Sequence, residues 1–131
     1  MTEQENPRLM SPLALAFLGD AVYELCARRR VLAEGGPVGG MHLKTVELVN
    51  AGAQSAALEQ ISALLTEEEL AVYKRGRNAS ASSTPKHAQI ADYRRATGVE
   101  ALFGYLFLRG EQARIEELFD RMHPAGAGEA E

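Results

Sequence analysis

Two carboxylates stand in company that ordinarily excludes them. Asp20 interrupts the run Leu15-Ala16-Phe17-Leu18-Gly19-Asp20-Ala21-Val22-Tyr23-Glu24-Leu25, and Glu100 interrupts Thr97-Gly98-Val99-Glu100-Ala101-Leu102-Phe103-Gly104-Tyr105-Leu106-Phe107-Leu108. A carboxylate among apolar neighbours must be paired, protonated or bound to a cation. Each run also carries a glycine, Gly19 and Gly104, which in mid-helix costs roughly 1 kcal/mol relative to alanine and so needs a reason. If the two segments are helices whose glycine-bearing faces meet, the backbones approach closely and the two acids converge. Two bare carboxylates there repel, unless a hard divalent cation sits between them.

Other chemistries find less support. The histidines are dispersed at 42, 87 and 123, with neither a His-Asp dipeptide nor an HExxH pattern, which argues against zinc hydrolysis. The serines gather in one polar stretch without a GxSxG elbow or a paired histidine and acid. His42, close to Lys44, reads as a surface or capping residue, and Glu24, one turn beyond Asp20, is expected to reach solvent. Cys26 is the sole cysteine, so no intramolecular disulfide and no CxxC site exist, as suits a reducing cytoplasm. No apolar run is long enough to span a membrane and the amino terminus is polar, so a cytoplasmic location without membrane attachment is expected.

The elements that position the acids follow from pattern. Ser11-Pro12 starts a helix, serine as N-cap and proline at the first helical position, which runs to about Leu32 and closes on Arg28-Arg29-Arg30. At about 100° per residue, Leu15, Leu18, Val22 and Leu25 share one stripe, with Leu13, Ala16, Phe17, Asp20 and Glu24 opposite. Both faces are largely apolar, which predicts a central, mostly buried helix. Glu34 to Gly40 reads as a loop. A second helix begins near Met41 or His42 and carries Leu43, Val46, Leu48 and Val49; Asn50 caps a third that continues through Ala56, Leu58, Ile61 and Leu64. Thr66-Glu67-Glu68-Glu69 is a capping box opening a fourth helix that ends near Gly76 to Ala79. After a polar connection at 80–85, a long fifth helix runs from about His87 to Leu108 and bears Glu100 opposite Val99, Leu102 and Leu106. Gly110 stops it, and a sixth helix from Glu111 to about Met122 aligns Ile115, Leu118, Phe119 and Met122.

No segment alternates with period two, so the fold class is all-α, with six to seven helices. The 131 residues, 46% hydrophobic and without tryptophan, make one domain over residues 11–122, between a flexible start at 1–10 and a flexible tail at 123–131. Net charge is −4, against a uniformly basic surface, yet Lys74, Arg75, Arg77, Lys86, Arg94 and Arg95 face only Asp92 within their stretch. A segregated basic patch on an acidic protein can still grip phosphates, and Asn78 lies within it.

Phe17-Leu18-Gly19-Asp20-Ala21-Val22 resembles the core of the ribonuclease III signature, and Glu100-Ala101-Leu102-Phe103-Gly104 resembles its second acidic motif. With Lys74-Arg75-Gly76-Arg77-Asn78-Ala79 and Tyr93 to Leu106, the pattern is similar to the small branch called Mini-ribonuclease III over roughly residues 10–122. Full-length ribonuclease III has glutamates at the positions of Leu13 and Ala16 and an aspartate at that of Thr97; the Mini branch is reduced in the same way. No separate double-stranded-RNA-binding domain is expected. The resemblance implies a homodimeric ribonuclease III-like endoribonuclease that cleaves double-stranded RNA with Mg²⁺, for which Mn²⁺ can substitute. It implies Asp20 and Glu100 as catalytic metal ligands, and maturation of the 23S ribosomal RNA precursor to 5′-phosphate and 3′-hydroxyl ends, with a ribosomal protein as an additional partner. Contacts to RNA are then expected from Lys74, Arg75, Arg77, Asn78, Lys86, Arg94 and Arg95. The competing reading is a non-catalytic dimeric helical module that binds RNA or the ribosome.

Overall fold

The computed structural model describes residues 6–79 and 89–125. Among them are six α-helices and no strand: α1 (Pro12–Glu34), α2 (Val38–Val49), α3 (Ala51–Leu58), α4 (Glu67–Ala79), α5 (Ile90–Leu108) and α6 (Gln112–Met122), with short 3-10 turns at Pro7–Leu9 and Ser62–Leu64. The all-α expectation holds. The polar connection at 80–85, with Lys86 and His87, lies outside the described residues.

The helix at the centre is α5 rather than α1. It packs against α1, α3, α4 and α6, and from Ala96 to Leu106 every residue except Glu100 is buried. Helix α1 covers one side of it with Leu15, Ala16, Gly19, Val22, Tyr23, Cys26 and Ala27. Its outer side stays open, with Phe17 85% and Leu25 58% exposed, so Leu25 leaves the stripe predicted for it. Two apolar faces cannot both be buried in a single-layer packing; the small residues Ala16, Gly19 and Ala27 select the face that lets α5 come close.

Side-chain caps account for three of the six helix starts. The Ser11 hydroxyl accepts from the N–H groups of Leu13 and Ala14 at 3.2 and 3.4 Å. The Asn50 side chain accepts from the Ala53 N–H at 2.8 Å and donates to the Val46 carbonyl at 2.9 Å, so one residue closes α2 and opens α3. The box at the start of α4 is reciprocal, Glu69 N–H to Thr66 hydroxyl at 3.1 Å and Thr66 N–H to Glu69 carboxylate at 2.9 Å. Burial pushes the Glu69 carboxyl up, but Arg114, donating at 2.7 and 2.9 Å, and the Thr66 N–H outweigh it and leave it below the usual carboxylate range.

Two boundaries differ from the pattern. Helix α2 begins at Val38, so Gly39 and Gly40, read as loop, form its first turn, where the backbone N–H groups lack helical partners in any case. Helix α3 stops at Leu58 instead of continuing to Leu64, because the chain tightens into 3-10 geometry to tuck Ile61 fully inside while Leu64 faces out. Contacts also reach the described residues at both ends. Pro7 is buried, and Arg8 pairs with Glu68. At the other end the Tyr23 hydroxyl and His123 Nε2 share a hydrogen bond of 2.6 Å, and Arg30 donates to the His123 carbonyl and, at 2.9 Å, to Asp120. Burial, with Arg30 alongside, holds His123 down to about 4, so its ring is the neutral imidazole at pH 7.

Candidate active site

The crossing of α1 over α5 is made by glycine against backbone. A Cβ placed on Gly19 would overlap the Glu100 carbonyl and lie 2.7 Å from the Gly104 nitrogen; one on Gly104 would overlap the Leu15 carbonyl and lie 3.1 Å from the Gly19 nitrogen. No real Cβ fits at such separations. Each glycine has an acid beside it, immediately after Gly19 on α1 and one turn before Gly104 on α5, and Asp20 is close enough to Glu100 to raise its carboxyl. Asp20 is exposed to solvent, whereas Glu100 is half-buried.

Burial raises Glu100 to about 7; a hydrogen bond from Gln54 works against that rise, and the charge and hydrogen-bonding reach of Asp20 add to it. A carboxyl poised near neutrality beside a second, solvent-facing carboxylate is a pair that needs positive charge to be fully ionised.

Gln54 is the site residue that the sequence reading passes over. It is 2% exposed, and its Nε2 donates to Glu100 Oε2 at 3.0 Å and to the Val49 carbonyl at 2.9 Å. Because the two acceptors fix which end of the amide is nitrogen, Oε1 is the oxygen, and it is buried without a protein partner among the described residues. A signal existed: Gln54, Ala57, Leu58 and Ile61 follow the helical i, i+3, i+4, i+7 spacing, which puts an amide on the apolar face of a helix otherwise made of small residues.

The donor set suits a hard divalent ion. Asp20 and Glu100 supply carboxylate oxygens from two facing helices, and the unpartnered Gln54 oxygen adds unsatisfied acceptor capacity nearby. No group of three or more His, Cys, Asp or Glu side chains able to hold a metal occurs among the described residues. A cation held here therefore keeps most of its shell for water and substrate oxygens, as small hard ions do. Glu24 forms an ion pair with Arg28 at 2.7 Å and lies on the solvent side of α1; His42 is exposed on α2.

The basic residues expected to meet RNA divide between elements. Arg95 donates to the Ser55 hydroxyl at 3.3 Å and lies 3.9 Å from Asp92, next to the helix that carries Gln54. Arg75 donates to the Arg8 carbonyl at 3.4 Å, which ties it to the amino-terminal turn. Arg77 lies over the Tyr73 ring at 5.6 Å and donates to Asn78 at 3.3 Å; Lys74 and Asn78 are exposed. Arg94 is half-buried, with its Nε buried and unpartnered among the described residues.

Residues 13–111, a span that holds Asp20, Gln54 and Glu100, match the model of the ribonuclease III domain. The chain belongs to the ribonuclease III family. Among curated relatives, it is 44% identical over 126 residues to Mini-ribonuclease 3 of Brevibacillus brevis, covering 95% of this chain and 94% of that one. It is 46% identical over 118 residues to Mini-ribonuclease 3 of a Thermoanaerobacter species, covering 89% and 83%. The crystal structure of a Fusobacterium nucleatum protein superposes with a TM-score of 0.78 at 32% identity, over 86% of this chain and 91% of that chain. Within the family the chain falls in the Mini-ribonuclease 3 branch, and it is an endoribonuclease. No helix among the described residues is long and apolar enough to cross a membrane.

Proposed function

We propose that this endoribonuclease cleaves double-stranded RNA with Mg²⁺ as cofactor, working as a homodimer on the stem that flanks the 23S ribosomal RNA precursor. The observation that carries the reading is the meeting of Asp20 and Glu100 at a glycine crossing, with Glu100 raised to about 7 in the absence of a cation. The assignment of the precursor as substrate, and of a ribosomal protein as an added partner, follows the branch the chain belongs to.

Asp20 and Glu100 are the residues to hold the cation, in a catalytic domain spanning residues 11–122. When bound, it supplies a water acidified enough to attack at neutral pH and positive charge against the phosphate. Glu100 must be ionised for this, and Gln54 donates to its Oε2. Asp20, open to solvent, is the ligand that a backbone phosphate can approach. The water oxygen joins phosphorus and its proton passes to solvent, the bond from phosphorus to O3′ breaks, and O3′ takes a proton from solvent, which leaves 5′-phosphate and 3′-hydroxyl ends.

A dimer is supported by the open side of α1. Leu13, Phe17 and Leu25 are exposed on the helix that bears Asp20, and a two-fold pairing through this face buries them while setting one acid pair against each strand. A-form RNA offers phosphates and 2′-hydroxyls rather than readable bases, so contacts of the kind Arg95, Arg94, Lys74, Arg75, Arg77, Asn78 and Lys86 can make are enough for grip.

The test is cleavage of a long end-labelled RNA duplex with Mg²⁺ or with EDTA. The parent protein is expected to give offset cuts on both strands with Mg²⁺ alone. Asp20→Asn is expected to slow them roughly 10³-fold, about 4 kcal/mol in the barrier, with an unchanged thermal midpoint. Full activity in that variant would remove the site assignment. A duplex that is shifted on a native gel but never cut would favour the non-catalytic binding module.

A further inference from the structure

Gln54 contributes nothing to the apolar core that alanine or leucine would not supply better, yet it is almost wholly buried. A buried amide is retained at little cost only when its hydrogen bonds are made. Here the nitrogen is fully used and the oxygen is not, which is the unusual half: buried acceptors without a partner are rare enough to need a reason. Both bonds made by Nε2 have an evident geometric effect. One anchors the amide to the Val49 carbonyl, at the joint between α2 and α3 that Asn50 clamps from both sides. The other reaches the carboxylate of Glu100 on a different helix. The amide is thus fixed to a rigid corner and grips one oxygen of the acid, leaving Glu100 Oε1 as the oxygen free of this bond.

We infer that Gln54 is a positioning residue for the cation site: its amide, braced on the Val49 carbonyl, holds Glu100 in the orientation that receives the divalent ion beside Asp20. The inference rests on the cation reading given above. Outer groups that orient a ligand commonly change metal affinity or activity by 10–100-fold when removed. Methionine at position 54 has nearly the length of glutamine and no donor, so Gln54→Met keeps the packing and deletes the grip.

The decisive measurement is Mn²⁺ binding to the full chain, read by the loss of free-ion electron paramagnetic resonance signal, alongside duplex cleavage as a function of RNA concentration. Gln54→Met is expected to bind Mn²⁺ about 10–100-fold more weakly and to lose kcat by a similar factor, with KM for the duplex within about twofold. Gln54→Asn, one methylene too short to span from α3 to Glu100, carries the same expectation should the methionine variant fail to fold. Mn²⁺ affinity equal to that of the parent in a folded variant overturns the inference whatever the rate. If instead Asp20→Asn binds Mn²⁺ as tightly as the parent, the cation reading itself is at fault and not the role of Gln54 alone.

Discussion

Helix α5 is crossed at close range on two sides, and the two crossings are built differently. Toward α1, Gly19 and Gly104 each face the other helix's backbone, carbonyl and amide, which cannot move aside. Toward α4, a Cβ on Gly98 would meet the Tyr73 ring at 2.6 Å and the Tyr73 carbonyl at 2.7 Å, and one on Gly76 would meet the Ala101 methyl at 2.7 Å. The first contact sets main chain against main chain alone; the second mixes side-chain neighbours, the Tyr73 ring and the Ala101 methyl, with the Tyr73 and Thr97 carbonyls. Only at the first do both helices carry an acid within one turn of the glycine. Carboxylates that must share an ion benefit from main chains that cannot slide, whereas a packing contact does not need that rigidity.

Substitutions that add one methyl test this contrast. Gly104→Ala is expected to be the most damaging, at about 3 kcal/mol or more, with cleavage lost in whatever fraction remains folded; urea midpoints and rates per folded molecule measure both. Gly98→Ala is expected to lose about 1–3 kcal/mol while its folded molecules cleave within a few-fold of the parent. Equal loss of rate in the two would erase the distinction between a catalytic and a packing crossing.

The smallest effect concerns protons. The folded chain without cation holds the Glu100 proton to about 7, above the ordinary value of 4.5, so it binds more protons than the unfolded chain between those limits. Its stability from this residue is therefore greatest below that window and falls as pH rises through about 7. In EDTA, Glu100→Gln is expected to remove this decline and to be more stable than the parent at pH 8 by about 1–2 kcal/mol, allowing for partial exposure, though inactive. Urea midpoints at pH 5 and pH 8 decide it, and an unchanged slope in the variant would mean that the crossing does not strain Glu100.

The acids and the glycines beside them were readable because each breaks a local rule, an unpaired charge or a helix-weakening residue inside an apolar run. Caps at Ser11, Asn50 and Thr66 were readable because their side chains act within three residues. The rank of α1 and α5 was not: both sequences are apolar on two faces, and which helix is enclosed depends on the neighbours, so Leu25, on a stripe whose pattern predicts burial, lies outward. The start of α2 was hidden because Gly39 and Gly40 disfavour helix by propensity, although a Cβ at either would meet nothing within 4 Å. For Gln54 the spacing marks only an amide on an apolar face; its partner, an acid forty-six residues on, is a tertiary fact.

The enclosure of α5 separates two kinds of intolerance along one stretch of sequence. From Ala96 to Leu106 ten positions are sealed in the interior and one is not, and that one is Glu100. A library of random substitutions through this stretch would return blanks almost everywhere, and stability alone would account for them. On its proposed role as a cation ligand, Glu100 is the position where variants are lost from a screen for function while persisting in a screen for soluble expression. The mismatch between those two screens would mark the acid without any knowledge of the reaction.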